Sequence, residues 1–175
     1  ALTYSVLPQL RYSHTIARRA HKRGKEVMLH LPMQTTDGRR LGPGGLLKVQ
    51  SRTEFARRVR DNLATVPYAS GVNNHMGYKL TAESTQLYQV FSVLKQRGLF
   101  FIDSRTSADS LCEPSARLFQ IPFARRDVFL DHYPTPEFVR KQIKELIRVA
   151  RSNGEAIGIG HPYPVTYRVL LEELP

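Results

Sequence analysis

"HKRGKEVMLHL", residues 21–31, reads as a helix end running straight into a buried strand. Gly24 can take the left-handed conformation that closes a helix, and the apolar run after it has the length of a strand. The run finishes on an ionisable side chain, His30. The same order recurs in "LKQRGLFFID" (94–103), which ends on Asp103, and in "RSNGEAIGIGH" (151–161), which ends on His161. Helix, glycine, apolar strand and polar strand end, repeated, is the grammar of a parallel α/β sheet. Right-handed crossovers bring the C-terminal ends of all its strands to one rim, where ligands bind. "GVNNHMG" (71–77) adds His75. His30, His75, Asp103 and His161 are therefore expected to converge.

The remaining pattern supports the alternation. "TYSVL" (3–7) is strand-like, and Ser13 to Arg23 reads as a helix. Ser51 and Glu54 have capping-box spacing ahead of a helix to about Thr65, with Phe55, Val59 and Leu63 on one stripe. Leu87, Val90, Phe91 and Leu94 repeat at helical spacing before Gly98. "IPFA" (121–124) is a weaker strand. Thr135-Pro136-Glu137 reads as a helix start, with Phe138, Ile143, Ile147 and Ala150 expected inward. "AIGIG" (156–160) is the last strand, and a helix from Pro164 closes the chain.

A length of 175 residues suits a single domain over 1–175. No apolar run approaches a membrane span, and no signal peptide is visible. The chain opens on Ala1 with a strand close behind, so it is expected to be trimmed from something longer, a leader or first strand lying upstream. The net charge of +11 favours anionic partners. Its distribution argues against nucleic acid: the arginine pairs 18–19, 39–40, 57–58 and 125–126 fall in separate elements, and no aromatic-basic motif accompanies them. Cys112 is the only cysteine, which excludes an internal disulfide. Its polar setting, "SADSLCEPSA", reads as a half-buried small side chain rather than a nucleophile.

Three imidazoles and a carboxylate at strand ends suit Zn²⁺ or another borderline divalent metal. A histidine that is not a ligand could protonate a leaving group. Asn73 and Asn74 could orient hydroxyl or acyl groups of a ligand, or cap their own turn. His161 in "GHPYP" is either an acid/base held by the prolines or a strand cap. In "ARRDVFLD" (124–131), Arg125, Arg126, Asp127 and Asp131 offer a rim carboxylate with an arginine partner, or an ion pair holding a loop.

"EVMLHLPM", "GVNNHMG", "FFIDSRT", "RRDVFLD" and "AIGIGHPYP", in that order, closely resemble the divergent polysaccharide deacetylase family. The resemblance runs from "TYSVLP" to "LLEELP" and is specific through "LHLPM" and "GVNNHMG" together. It implies a distorted (β/α) barrel of the polysaccharide deacetylase type, lacking its first strand in this chain. It also implies an exported or periplasmic protein, a polysaccharide or peptidoglycan-like glycan as partner, and envelope proteins as further partners. The implied activity is metal-dependent deacetylation of an N-acetylated envelope polysaccharide, a hydrolysis of amide C–N bonds. By the matching motifs, His30, His75 and Asp103 resemble metal ligands, with His75 alternatively a substrate contact. His161 and Asp127 resemble catalytic residues, His161 as the acid and Asp127 in or near the pocket. Asn73, Asn74, Arg105 and Arg126 resemble substrate contacts. The chain also departs from the family pattern. The Asp-Asp pair of the first strand is not in it, Tyr78 follows "NNHMG" where a small hydroxyl is usual, and Gln34 follows "HLPM" where an acid is frequent. Without the paired acids, zinc binding is expected to be weak or absent in this chain. The alternative function is a non-catalytic glycan-binding or envelope-assembly protein on a degenerate deacetylase fold.

Overall fold

A computed structural model describes residues 2–174. The chain divides into two compact units, one through Ala124 and one from Arg125.

The first unit alternates strands and helices: β1 (Thr3–Val6), α1 (Ser13–Lys22), β2 (Glu26–Met33), α2 (Arg52–Thr65), β3 (Ala69–Met76), α3 (Ser84–Arg97), β4 (Phe100–Asp103) and α4 (Cys112–Phe119). The strands join β5 (Phe123–Arg125) in a sheet of order β1-β2-β3-β4-β5. The pairs β1–β2, β2–β3 and β3–β4 are parallel, as the distorted-barrel reading of the sequence expects.

The sheet is held by burial on its helix-facing side. Val27, Leu29, Leu31 and Met33 alternate along β2 and are all buried, as are Val72 on β3 and Phe101 on β4. Against them pack Phe55 and Val59 of α2 and Leu87, Val90, Phe91 and Leu94 of α3. Each such side chain contributes about 1.5–3 kcal/mol when fully removed from water. The expected caps are formed. Ser51 Oγ accepts the Glu54 N–H, and Gly98 closes α3 in the left-handed region at φ 64°.

The second unit contains β6 (Val128–Phe129), α5 (Pro136–Asn153), β7 (Gly158–Ile159) and α6 (Pro164–Glu173). β6 and β7 pair in parallel over a small core of Val128, Leu130, Val139, Ile143 and Val169. Thr135 caps α5 by accepting the Phe138 N–H.

Two elements differ from the sequence reading. The inward stripe of α5 is Val139, Ile143 and Leu146, while Ile147 is exposed. Both sets have helical spacing, and only the position of the small core separates them. Helix α4 has no side-chain cap on its N-cap residue, and its start, absent from the sequence reading, is marked by Glu113 and Pro114 in its first turn. Its first residue, Cys112, is fully buried rather than half-buried. Burial, with the Asp103 charge as a lesser cause, pushes the thiol far above its ordinary range, which makes it a poor nucleophile.

Candidate functional site

Each unit brings one histidine to a polar partner, and the two arrangements are built differently.

In the first unit the register pairs His30 with Asn73, and Pro32 with His75. Side chains alternate along a strand, so His30, Asn73 and His75 share the sheet face opposite the Leu29–Leu31–Met33 core. His30 is the one half-buried residue in the run from Val27 to Met33. Its Nδ1 lies 3.0 Å from Asn73 Oδ1, and its Nε2 lies 3.0 Å from Nδ1 of His75. Asn73 Oδ1 also accepts the Ser5 hydroxyl, and Asn73 Nδ2 donates to Ser104 Oγ at 3.2 Å. An amide oxygen can only accept, so His30 Nδ1 carries a hydrogen. In the neutral ring, Nε2 of His30 is then an acceptor, and His75 donates to it from Nδ1. Buried Asn73 thus sets the tautomer of both rings.

Asn74 points to the other face. It is buried, and its amide is spent inside the fold. Oδ1 accepts the Ser104 N–H at 2.8 Å, while Nδ2 donates to Met76 O at 3.0 Å and to Thr106 Oγ1 at 3.3 Å. Met76 and Gly77 follow with φ of 58° and 96°. A Cβ on Gly77 would stand 3.2 Å from both Met33 and Thr81, so this turn requires glycine. Of the two adjacent amides, Asn73 positions the histidines, while Asn74 locks the ends of β3 and β4 together instead of meeting a ligand.

Asp103, expected as the third metal ligand, lies apart from the pair. Asn73 is in register with Ile102, so Asp103 falls on the helix-facing side of the sheet. It is buried, accepting the Arg105 N–H at 2.8 Å and the Ser110 hydroxyl at 2.7 Å. The carboxylate thereby folds the loop after β4, and Arg105 enters through its backbone at φ 47°.

In the second unit β6 and β7 run in register, Val128 with Gly158 and Phe129 with Ile159. Two residues beyond each pair's end stand Asp131 and His161. The register therefore sets them side by side. Asp131 accepts the His161 N–H at 2.5 Å and the Thr166 hydroxyl at 2.9 Å through Oδ2. Its Oδ1 lies 3.1 Å from His161 Nδ1. The carboxylate is fully buried while the imidazole is 48% exposed, so a fixed acceptor orients an accessible ring. Phe129 and Tyr163 flank that ring, with centroids 5.5 and 5.3 Å away. Gly160 allows the close approach, since a Cβ there would meet Asp131 Oδ2 at 3.2 Å.

Asp131, not Asp127, is thus the carboxylate of His161. Asp127 instead accepts the Ile157 N–H at 2.8 Å, clipping the start of β7. The equal offsets of Asp131 and His161 from their strands carried this information. It could be read only by treating "DVFLD" as a strand, which its two-residue length conceals. Arg126 lies with its guanidinium 5.4 Å from the Phe129 ring centre.

Whether a divalent metal suits His30 and His75 can be tested on their spacing. Two nitrogens bound to one tetrahedral zinc lie about 3.3 Å apart at ordinary Zn–N lengths. The 3.0 Å between His30 Nε2 and His75 Nδ1 is close to that. An amide oxygen on the far nitrogen of His30 is the kind of partner that fixes a ligand histidine's tautomer. His30 fits as a donor as it stands, and His75 fits once the hydrogen on its Nδ1 moves to Nε2. Among the described residues, no group of three or more His, Cys, Asp or Glu is placed to complete a site.

Comparison with known proteins agrees with the fold. The family model of the divergent polysaccharide deacetylases matches residues 1–175. Uncharacterized protein YibQ of Escherichia coli is 36% identical over 170 residues, which is 97% of this chain and 53% of that protein. An uncharacterized protein of Haemophilus influenzae is 33% identical over 177 residues, 99% of this chain and 63% of the relative. The chain therefore spans between half and two thirds of the length of these relatives. The crystal structure of uncharacterized protein ATU2773 from Agrobacterium tumefaciens superposes with a TM-score of 0.93 at 26% identity, covering 98% of this chain and 70% of that one. The lactam utilization protein of Thermus thermophilus shares the fold at a TM-score of 0.63 and 13% identity, over 96% of this chain and 84% of that one.

Proposed function

Since this chain belongs to the divergent polysaccharide deacetylase family, we propose that it takes part in hydrolytic removal of N-acetyl groups from an envelope polysaccharide. The reaction consumes one water, breaks the amide C–N bond, and yields acetate and a free amine. His30 and His75 are the proposed donors to a divalent metal, zinc by ligand type. A further ligand, a carboxylate, would come from outside the described residues. When bound, the metal would supply Lewis-acid polarisation of the acetamide carbonyl and activation of water.

The chain's own residues have definable tasks in this reading. Asn73 holds His30 with its Nε2 lone pair available, the state a ligand must have. Asp131 accepts from Nδ1 of His161 and so fixes which nitrogen faces outward. Nε2 of His161 then gives a proton to the departing amine. Phe129 and Tyr163 wall that ring and offer apolar faces to a sugar. The exported location implied by the resemblance belongs to this proposal.

The observation that supports the reading most is the spacing of the His30–His75 nitrogens, with an amide fixing the tautomer of His30. The test is acetate release from N-acetylated chitooligomers and peptidoglycan fragments, using the full-length protein with added zinc. Release that a chelator stops and zinc restores is the expected result. No acetate from either substrate would overturn the enzyme reading in favour of a glycan-binding protein on the same fold.

A further inference from the structure

The segment from Arg11 to Lys25 carries six Lys or Arg residues and two histidines without one acid. It covers the turn before α1, all of α1 and the turn after it. Elsewhere the helices neutralise much of their charge. Arg58 pairs with Glu54, Arg117 with Glu113, Arg148 with Glu145, and Arg140 with Glu172 and Glu173. Among the described residues, no ion pair involves any cation between Arg11 and Lys25. Arg19, His21 and Lys22 lie in the last turn of α1, where the helix dipole accounts for some positive charge. Arg11 and Arg18 lie outside that turn, and Lys25 lies beyond the helix.

The geometry gives this charge a shape. Ser13, Ala17 and Ala20 turn α1 towards the sheet. Ile16, Arg19 and Arg23, spaced i, i+3 and i+7, run along one flank. With Tyr4, Ala20 and Lys25 they line a shallow depression of about 270 Å³. Its cations are Arg19, Arg23 and Lys25, and Tyr4 and Ile16 are its apolar part. The same segment exposes large apolar side chains: Ile16 is 46% exposed, Leu10 47% and Tyr12 57%. His21 stacks on Tyr68 at 4.0 Å and fixes the C-terminal end of the helix against the turn before β3.

We propose that the outer face of α1 is a docking surface for an anionic phospholipid bilayer, with phosphate headgroups over Arg19, Arg23 and Lys25, and Leu10, Tyr12 and Ile16 at the acyl boundary. Cations alone would serve any polyanion. Exposed leucine, tyrosine and isoleucine among unpaired cations match an interface that offers negative charge and hydrocarbon together. No helix among the described residues is long and apolar enough to cross a membrane, so the contact is peripheral. The surface is independent of the deacetylase reading and would stand without it.

The test is co-sedimentation with vesicles of phosphatidylcholine and phosphatidylglycerol, against pure phosphatidylcholine, at low salt. The wild type should bind the mixed vesicles only. Replacing Arg19, Arg23 and Lys25 together by alanine should lower partitioning about 100-fold, from about a fivefold contribution per cation. These side chains are exposed, so the melting temperature should not move. The control removes the same charge from the outer face of α5, through Lys144→Ala, Arg148→Ala and Arg151→Ala. It should change partitioning by less than about 5-fold if α1 rather than net charge carries the contact. Ile16→Ser should weaken vesicle binding while leaving retention on a heparin column unchanged. Equal losses in the two triple variants would overturn the proposal by reducing it to net charge. So would α1-dependent heparin binding without vesicle binding, which would assign the face to a soluble polyanion.

Discussion

The imidazole of His30 leans on an amide, and the imidazole of His161 leans on a carboxylate. Asn73 can only accept through its oxygen, so it keeps a hydrogen on Nδ1 and leaves the lone pair of the neutral ring on the other nitrogen. Asp131 carries a charge in a fully buried position and also accepts a backbone N–H and a hydroxyl. It therefore holds a ring that can accept and give up a proton without turning. The same residue type stands within β2 in one case and two residues past β7 in the other, and in the proposed reading one neighbour sets it up as a ligand and the other as an acid. The difference lies in the partner strand: the residue in register with His30 is an asparagine, and the one level with His161 is an aspartate.

If the two sites have these tasks, their variants should separate. The largest effect is expected for His161→Ala, which should lower the rate of acetate release by about 10²–10⁴-fold, the usual size of a general acid's contribution, with zinc affinity unchanged. An unaltered rate would make the His161–Asp131 pair structural. Next comes Asp131→Ala. It strands a buried hydroxyl and a backbone N–H, and should cost about 2–4 kcal/mol in urea unfolding. Asp127→Ala should cost less than half as much, since that carboxylate sits at the surface. Equal costs would erase the distinction between the two acids.

Asn73→Leu should cost about 2 kcal/mol and release His30. Imidazole ¹⁵N shifts should then show mixed tautomers in place of one, and a spectrum identical to wild type would deny Asn73 its role. The smallest effect serves as a control outside both sites. Burial keeps the Cys112 thiol protonated in the folded chain, while in the unfolded chain it ionises near pH 9. Its contribution is therefore complete below pH 9 and is lost as pH rises beyond it, at about 1.4 kcal/mol per pH unit. Cys112→Ala should remove that component of the slope and leave both histidine sites intact.

The strand ends were legible in sequence because glycine caps and apolar runs mark them locally. Gly98 and Gly154 do close their helices in the left-handed region. The face on which a strand-end residue points was less legible. It depends on pairing register, and one residue's slip sends Asp103 to the helices and leaves His75 beside His30. Adjacent residues Asn73 and Asn74 look equivalent in "GVNNHMG", yet alternation sends Asn73 to His30 and Ser5 and Asn74 to Met76 and Thr106, with Ser104 touching both. Asp131 was hidden for a related reason. Its strand is two residues long and gains its identity only from β7, some 30 positions later. Local chemistry announces where polar groups gather, and long-range pairing decides which of them meet.

The most direct measurement is isothermal titration of zinc into the full-length protein and into its His30→Ala, His75→Ala and His161→Ala variants, each checked for folding. The account expects binding that falls about 10–100-fold or more on loss of His30 or His75, and that is unaffected by loss of His161. Binding that is indifferent to His30 and His75, or that disappears with His161 instead, would contradict the division of labour between the two histidine sites.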